Sequence, residues 1–113
     1  SAFLWGYAIP VACVLHTLSL INTMCHLSKF PGGNRRFNTR DCSINRPFLS
    51  FFALGAGYHN NHHRFPAGAR SSFAWYELDV TYYGIRALEF LGLIYNVKRR
   101  IPDEILRERA LPR

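Results

Sequence analysis

The first 28 residues contain no Asp, Glu, Lys or Arg, and this charge-free segment restricts the possible folds more than any other feature. All 14 basic and 7 acidic residues lie beyond it. The apolar run over residues 3–25 can cross a hydrocarbon core, which needs about 20 helical residues. Trp5 and Tyr7 suit a membrane–water interface, and Pro10 would kink a spanning helix without forbidding it. The segment therefore predicts a transmembrane helix within residues 1–28.

Two other kinds of apolar segment compete with this interpretation. A secretory signal peptide has a basic region before its apolar core and a cleavage site of small residues after it, and neither is present. The segment could instead be the buried helix of a soluble protein, since His16 and Asn22 interrupt the apolar run. Because the chain has 113 residues and begins with Ser, we also expect it to be a fragment of a longer protein.

The net charge of +7 is spread along the chain, and the basic residues alternate with acidic ones. Proteins that bind single-stranded nucleic acid carry a dense basic patch with stacking aromatic side chains, so we expect no nucleic-acid partner. Basic residues that directly follow an apolar span favour the cytoplasmic side under the positive-inside rule. The residues that place the chain after the helix in the cytoplasm are Lys29, Arg35, Arg36 and Arg40.

The segment from Gly55 to Pro66 holds three of the five histidines of the chain. His59, His62 and His63 form an H-x-x-H-H cluster, and positions i, i+3 and i+4 of a helix lie on one face. A lone histidine is usually an ordinary surface or core residue, but three within five residues are hard to explain in that way. Neutral imidazole binds iron, zinc and copper alike. We therefore interpret the cluster as a set of metal ligands.

Signals for the ends of helices surround the histidine cluster. A turn at 31–34 begins a polar loop, and Pro47 can occupy the first position of a helix that leads into the cluster. Phe65-Pro66 is expected to end that helix, because the residue before a proline leaves the helical region. Apolar spacing over residues 80–95 predicts an amphipathic helix of about four turns. A short charged helix is predicted over residues 103–110, so the expected fold is mainly α-helical.

Asn22 and His26 lie four residues apart at the end of the apolar helix, so their side chains face the same way. A polar pair at that depth is costly without a partner. The pair either hydrogen-bonds to neighbouring helices or joins a metal site with the histidine cluster, and both alternatives are open. His16 lies deeper in the apolar run, and we expect it only to pack or to form a hydrogen bond.

Two motifs, N-T-M-C-H at 22–26 and G-x-G-Y-H-N-N-H-H-R-F-P at 55–66, are joined by N-R-R-F-N-T-R-D at 34–41. Together with W-Y-E-L-D at 75–79 and L-G-L-I-Y-N-V-K at 91–98, this arrangement resembles the C-terminal portion of a membrane-bound acyl-CoA delta-9 fatty acid desaturase of the stearoyl-CoA type. A bare H-x-x-H-H is shared with membrane hydroxylases and ketolases. The Phe-Pro that follows it here is specific to the desaturase branch.

The resemblance implies four transmembrane helices and a cytosolic cap, with residues 1–28 as the last helix and residues 29–113 in the cap. Such proteins hold two non-haem iron ions through nine histidines and through one asparagine that acts by way of a water. The match assigns as iron ligands His26, His59, His62 and His63, with Asn22 as the water-mediated one. The other ligands belong to two earlier histidine boxes that are absent from these residues, so the fragment alone is expected to be inactive.

The resemblance also implies the reaction and its partners. Reduced iron would activate dioxygen, and hydrogens would leave two adjacent methylenes of a long-chain acyl-CoA or acyl-lipid. A cytochrome b5-like or ferredoxin-like protein would donate the electrons. The enzyme would lie in a bacterial inner membrane or in the endoplasmic reticulum, with its active site on the cytoplasmic face.

One residue departs from the family pattern, because Ala56 stands where glutamate is usual between the two glycines of the third box. This change removes a carboxylate that could orient a ligand imidazole. Two alternatives to a desaturase remain open. One is a membrane di-iron hydroxylase, and the other is a non-catalytic membrane protein that is either a relic of a desaturase or a binder of zinc through the same histidines.

Overall fold

The structure, a computed structural model, describes residues 1–98, and the predicted charged helix at 103–110 lies outside them. The described part is mainly helical, as expected. Its elements are a π-helical turn over Leu4–Ala8 and the α-helices α1 (Ile9–His26), α2 (Pro47–Phe52), α3 (His59–Arg64) and α4 (Val80–Phe90). Isolated bridges join Asn45 to Asn34 and to Tyr58.

The first helical stretch runs from Leu4 to His26, and its 23 residues are long and apolar enough to cross a membrane. Hydrogen bonding changes from π to α just before Pro10, which has no backbone N–H to donate. Only 6% of the most apolar part of this stretch is buried by the rest of the described chain. The helix is therefore not a core helix of the described part. The buried residues of α1 are Ile21 and Cys25, both close to its end.

The single helix predicted from Pro47 through the histidine cluster is wrong, because the chain turns between α2 and α3. The helix begins at Pro47 as expected, but Leu54 and Gly55 have φ values of 53° and 110°. Such left-handed conformations end a helix. The chain then re-enters a helix at His59 and leaves it after Arg64, in agreement with the predicted end at Phe65-Pro66.

The amphipathic helix is shorter than the predicted range of 80–95, since α4 ends at Phe90. Its start is capped by Asp79, whose side chain accepts a hydrogen bond from the Tyr82 N–H at 3.0 Å. Its end is a Schellman motif around Gly92, which has a φ of 72°. The Leu93 N–H donates to Leu88 O, which satisfies a carbonyl that the helix itself leaves without a partner.

The interior of the described chain is largely polar and lies between the end of α1, the loop before α2, and α3. Its buried hydrophobic residues are Ile21, Cys25, Phe37 and Tyr58. Its buried polar residues are Ser43, Asn45, Arg46, Ser50, His59, Asn60, Asn61, Ser72, Glu77 and Asp79. Within residues 1–98, every buried side-chain nitrogen or oxygen has a hydrogen-bond partner. Satisfied polar interiors hold groups in one geometry, which suits a binding site better than a packing core.

Candidate metal centre

Three imidazoles meet where the end of α1 contacts α3. The Nε2 atom of His59 lies 3.2 Å from Nε2 of His26 and 3.0 Å from Nε2 of His63. One nitrogen from each ring lies within 4.8 Å of the others. Within residues 1–98, the ring of His26 therefore lies beside those of His59 and His63, close enough for the three to share a metal ion.

His62 and Asn22 lie beside this group and not in it. The His62 ring centroid is 6.2 Å from that of His59 and 5.8 Å from that of His63. His62, Asn22 and Ala56 instead line a cavity of about 350 Å³ between α1 and the turn after α2. The predicted ligands thus form a group of three converging rings and a pair, His62 and Asn22, that lines the adjacent cavity together with His59.

Burial keeps two of the histidines, His59 and His62, neutral. Burial, together with the neighbouring His63, His26 and His62, lowers the pKa of His59 to about 4. Burial and His63 also lower the pKa of His62. A protonated imidazole has no lone pair for a metal, so both rings are in the ligating form at neutral pH.

Asp41 contacts the ring of His63 from behind, and the sequence reasoning did not identify it as a site residue. The His63 Nδ1–H donates to Asp41 Oδ2 at 2.6 Å. Desolvation opposes ionisation of this carboxyl, but hydrogen bonds from Ser43, His63 and Thr39 outweigh it and hold the Asp41 pKa well below its usual value. The only sequence signal for Asp41 is its place at the end of the motif at 34–41, which carries no apolar periodicity.

Two asparagines within the histidine cluster hold the loop before α2. Asn60 Oδ1 accepts the Phe37 N–H at 2.7 Å, and Asn60 Nδ2 donates to Phe37 O at 3.0 Å. The Asn61 N–H donates to Asn45 Oδ1 at 3.0 Å, while Asn61 Oδ1 accepts from Asn45 Nδ2 at 2.8 Å. Both asparagines are fully buried. The two residues between the histidines therefore fix the histidine cluster to the loop before α2.

Arg46 closes the end of α1 with three hydrogen bonds from one guanidinium. Its Nε donates to Met24 O at 2.6 Å, Nη2 to Leu27 O at 2.7 Å and Nη1 to Pro31 O at 2.9 Å. The side chain is only 3% exposed. A helix leaves its last carbonyls without partners, and a cation there also complements the helix dipole. Sequence reasoning did not identify this role for Arg46.

The backbone of Arg46 links the same helix end to the start of α3. Its N–H donates to Gly57 O at 2.7 Å, and the neighbouring Ile44 N–H donates to Cys25 O at 2.8 Å. The helix end that carries His26 is thereby tied to the segment that leads into His59. The distance between the two imidazoles is set by backbone hydrogen bonds as well as by the rings themselves.

The donor set fits a metal ion. One imidazole nitrogen each from His26, His59 and His63 faces the other two, and the three nitrogens lie within 4.8 Å of one another. A carboxylate behind one ring is a common second partner of a metal-bound histidine. Imidazole ligands are compatible with iron, zinc and copper, so the geometry alone does not select the metal.

Residues 1–98 match the family described as fatty acid desaturase. This chain belongs to the fatty acid desaturase family. The desaturase chain is 40% identical over 105 residues to icosanoyl-CoA 5-desaturase of Limnanthes douglasii, covering 93% of this chain and 28% of that protein. It is 41% identical over 105 residues to delta-9 acyl-lipid desaturase 1 of Arabidopsis thaliana, covering 93% of this chain and 32% of that protein.

A third relative is the chloroplastic palmitoyl-monogalactosyldiacylglycerol delta-7 desaturase of Arabidopsis thaliana. The identity is 36% over 105 residues, which is 93% of this chain and 27% of the relative. The chain thus spans about a third or less of the length of these curated relatives. Their names differ in double-bond position and in acyl carrier, so the similarity supports a fatty acid desaturase without selecting the delta-9 position.

Proposed function

We propose that this chain forms the C-terminal part of a membrane-bound enzyme that introduces a double bond into a long-chain fatty acyl group. One observation carries the proposal. Imidazoles from two distant segments, His26 on α1 and His59 and His63 on α3, converge at the end of an apolar helix of membrane-spanning length. Because the chain belongs to the fatty acid desaturase family, we interpret the three converging imidazoles as part of a desaturase metal site.

The metal of the proposed site is a pair of non-haem iron ions. The direct ligands from this chain would be His26, His59, His62 and His63, and Asn22 would act through a water. The remaining ligands would come from two earlier histidine boxes outside these residues. When bound, the iron would supply the activation of dioxygen that removes hydrogens from two adjacent methylenes.

The residues of this chain have their own tasks in that reaction. Burial holds His59 and His62 neutral, so protons do not compete with a metal for their rings near pH 7. Leu18 and Ile21 of α1 line the same cavity as His62. An acyl chain in this cavity would meet an apolar wall on one side and the imidazoles on the other. The apolar wall would hold methylenes and exclude water beside the site.

The proposal also includes the substrate, the electron donor and the location of the enzyme. The substrate would be a long-chain acyl-CoA or acyl-lipid, desaturated in the delta-9 position, since relatives include a delta-9 acyl-lipid desaturase and an acyl-CoA desaturase. A cytochrome b5-like or ferredoxin-like donor would supply electrons. The protein would be an integral membrane protein of a bacterial inner membrane or of the endoplasmic reticulum, with its site on the cytoplasmic face.

The test is expression of the full-length protein in a desaturase-deficient host, followed by fatty-acid analysis. We expect new double bonds from the wild type and at least a hundredfold fewer from His59→Ala. His16→Ala is the matched control, because among residues 1–98 His16 is exposed and its ring forms its hydrogen bond with Ala12 O of its own helix. Hydroxylated products would indicate the hydroxylase instead. Wild-type product levels from His59→Ala would contradict the role of this residue as a ligand.

A further inference from the structure

The loop from residue 34 to residue 41 ends beside the histidine cluster, yet none of its residues belongs to the proposed ligand set. We propose that Asp41 is a positioning residue for His63 and that its carboxylate fixes both the orientation and the tautomer of that ring. The inference rests on the proposed role of His63 as a metal ligand. Its consequence is that Nε2 of His63 carries a lone pair directed at His59 and His26.

A proton lies between the side chains of Asp41 and His63. An ionised carboxylate only accepts hydrogen bonds, so the contact of 2.6 Å between Asp41 Oδ2 and His63 Nδ1 places the proton on Nδ1. In a neutral imidazole the other nitrogen then carries the lone pair. That nitrogen is the one that lies 3.0 Å from Nε2 of His59.

Other hydrogen bonds hold the carboxylate of Asp41 in one orientation. Asp41 Oδ1 accepts the backbone N–H of Ser43 at 2.9 Å and the hydroxyl of Thr39 at 2.9 Å. With Oδ1 engaged in this way, Oδ2 is the oxygen that faces His63. Arg35 Nη2 also donates to Asp41 O at 2.7 Å, which holds the backbone at this residue.

The loop that carries Asp41 is also hydrogen-bonded to the segment that carries the histidine cluster. Asn60, the residue after His59, donates from Nδ2 to Ser43 Oγ at 3.2 Å and to Thr39 Oγ1 at 3.3 Å. The same two residues hold Asp41. Asn60 of the histidine cluster therefore holds the loop in place, and the loop in turn places the carboxylate of Asp41 against His63.

This geometry predicts an unusual order for two substitutions. In Asp41→Asn the amide oxygen must stay with the Ser43 N–H, which can only donate, so the NH₂ group faces His63. The proton of His63 then has to move from Nδ1 to Nε2, where it points into the proposed metal site. Asp41→Ala leaves the ring free to take either tautomer. If Asp41 only filled space, Asp41→Ala would impair the site more than Asp41→Asn, because Asn preserves the size of the side chain and Ala does not.

The experiment uses the full-length protein that contains these residues, purified in detergent and stripped of metal. Fe²⁺ is titrated without oxygen against a competing chelator, and thermal unfolding of the metal-free protein is recorded in parallel. We expect Asp41→Asn to weaken Fe²⁺ binding by about 10- to 100-fold and Asp41→Ala to weaken it less. Thermal stability should follow the opposite order, with Ala the lower. An Asn variant within threefold of the wild type, or one that binds Fe²⁺ better than Ala, would overturn the inference.

Asp79→Asn is the matched control. Asp79 is a more deeply buried carboxylate than Asp41, and its oxygens accept the backbone N–H groups of Ser71 and Tyr82. We expect this variant to unfold at a lower temperature and to keep the wild-type affinity for Fe²⁺, and a loss equal to that of Asp41→Asn would count against the inference. A wild-type protein that binds no Fe²⁺ would overturn the proposed function itself, whereas normal wild-type binding with an unaffected Asp41→Asn would overturn this inference alone.

Discussion

Gly57 lies where the turn after α2 packs against the first turn of that helix. A Cβ at this position would overlap the backbone nitrogen of Ser50 and the backbone oxygen of Arg46. These two atoms form a helical hydrogen bond of 3.1 Å, so neither can move aside cheaply. We expect Gly57→Ala to lower the free energy of unfolding by about 1–3 kcal/mol, as measured by thermal unfolding of the full-length protein in detergent.

Gly84 provides the control for this prediction. It lies inside α4, and a Cβ there would meet nothing within 4 Å. Because alanine favours a helix interior over glycine, Gly84→Ala should raise stability by up to about 1 kcal/mol. Shifts of the unfolding temperature in the same direction for the two substitutions would contradict the predicted overlap at Gly57.

Single residues differ in how far the sequence identifies their roles. The histidines at 59, 62 and 63 can be recognised because their spacing has a direct geometric meaning on a helix. Asp41 and Arg46 cannot, because a polar loop without periodicity does not indicate where its side chains point. Both act through backbone geometry that exists only after the loop has folded against α1 and α3.

The helix α3 has only six residues, which is too short for a stable isolated helix. Side chains of Asn60 and Asn61 attach it to the preceding loop. The metal-free protein should therefore be sensitive to any change that affects the buried face of this element. A fall in pH is one such change, because it favours protonation of the buried imidazole of His59.

We expect the stability of the metal-free protein to fall with decreasing pH between about 6.5 and 4. The pKa of His59 is about 4 in the folded chain, against an ordinary value of 6.5. In this window the unfolded chain binds a proton at His59 and the folded chain does not, which favours unfolding. One such group contributes about 1.4 kcal/mol per pH unit, and above pH 6.5 its contribution is constant.

Thermal unfolding of the metal-free full-length protein from pH 4 to 8 measures this dependence. The variant His59→Gln lacks the titrating ring, so its stability should depend less steeply on pH. His62 keeps some of the slope, because its pKa is lowered as well. Identical slopes for the wild type and for His59→Gln would show that the buried imidazole is not the group responsible.

At the level of elements, the sequence predicted the helix boundaries beside prolines better than the breaks at left-handed residues. Pro47 and Phe65-Pro66 act through local steric effects, and both mark the boundaries that the structure has. The break before α3 depends on Leu54 in a left-handed conformation, which a non-glycine residue adopts only when its surroundings require it. The early end of α4 follows from Gly92, whose role as a helix end the apolar spacing obscured.

At the scale of the whole molecule, α1 presents its apolar side chains away from the described chain. Val14 is 56% exposed and lies near the middle of the stretch from Leu4 to His26. An arginine at the centre of a membrane span costs about 2.5–3.5 kcal/mol for insertion. We expect Val14→Arg to reduce membrane insertion of residues 1–28 strongly, as measured with a glycosylation reporter fused to this segment.

Ser1→Arg is the control for the insertion experiment, because Ser1 lies outside the spanning stretch and is exposed. It should leave insertion close to the wild-type level. Equal insertion of the Val14→Arg and Ser1→Arg segments would argue against a transmembrane position for α1. The division of the chain into a membrane segment at 1–28 and a cap from 29 onward stays a prediction that this experiment bears on.

The whole-molecule arrangement was predictable in part. The charge-free segment is visible in the sequence, and the motifs that contain His26 and His59 suggested that the two residues meet. The largely polar interior was not predictable, because polar residues such as Asn45 and Glu77 usually lie at the surface. Their burial depends on partners that are distant in the sequence.

The contacts of Arg46 have a consequence for how the sequence can change over evolutionary time. Its three partners at Met24, Leu27 and Pro31 are backbone carbonyls, which every amino acid possesses. These contacts therefore place no requirement on which side chains occupy the three positions. Of the four residues, these hydrogen bonds require a particular side chain only at Arg46. Among related sequences, position 46 should therefore vary less than the residues it binds.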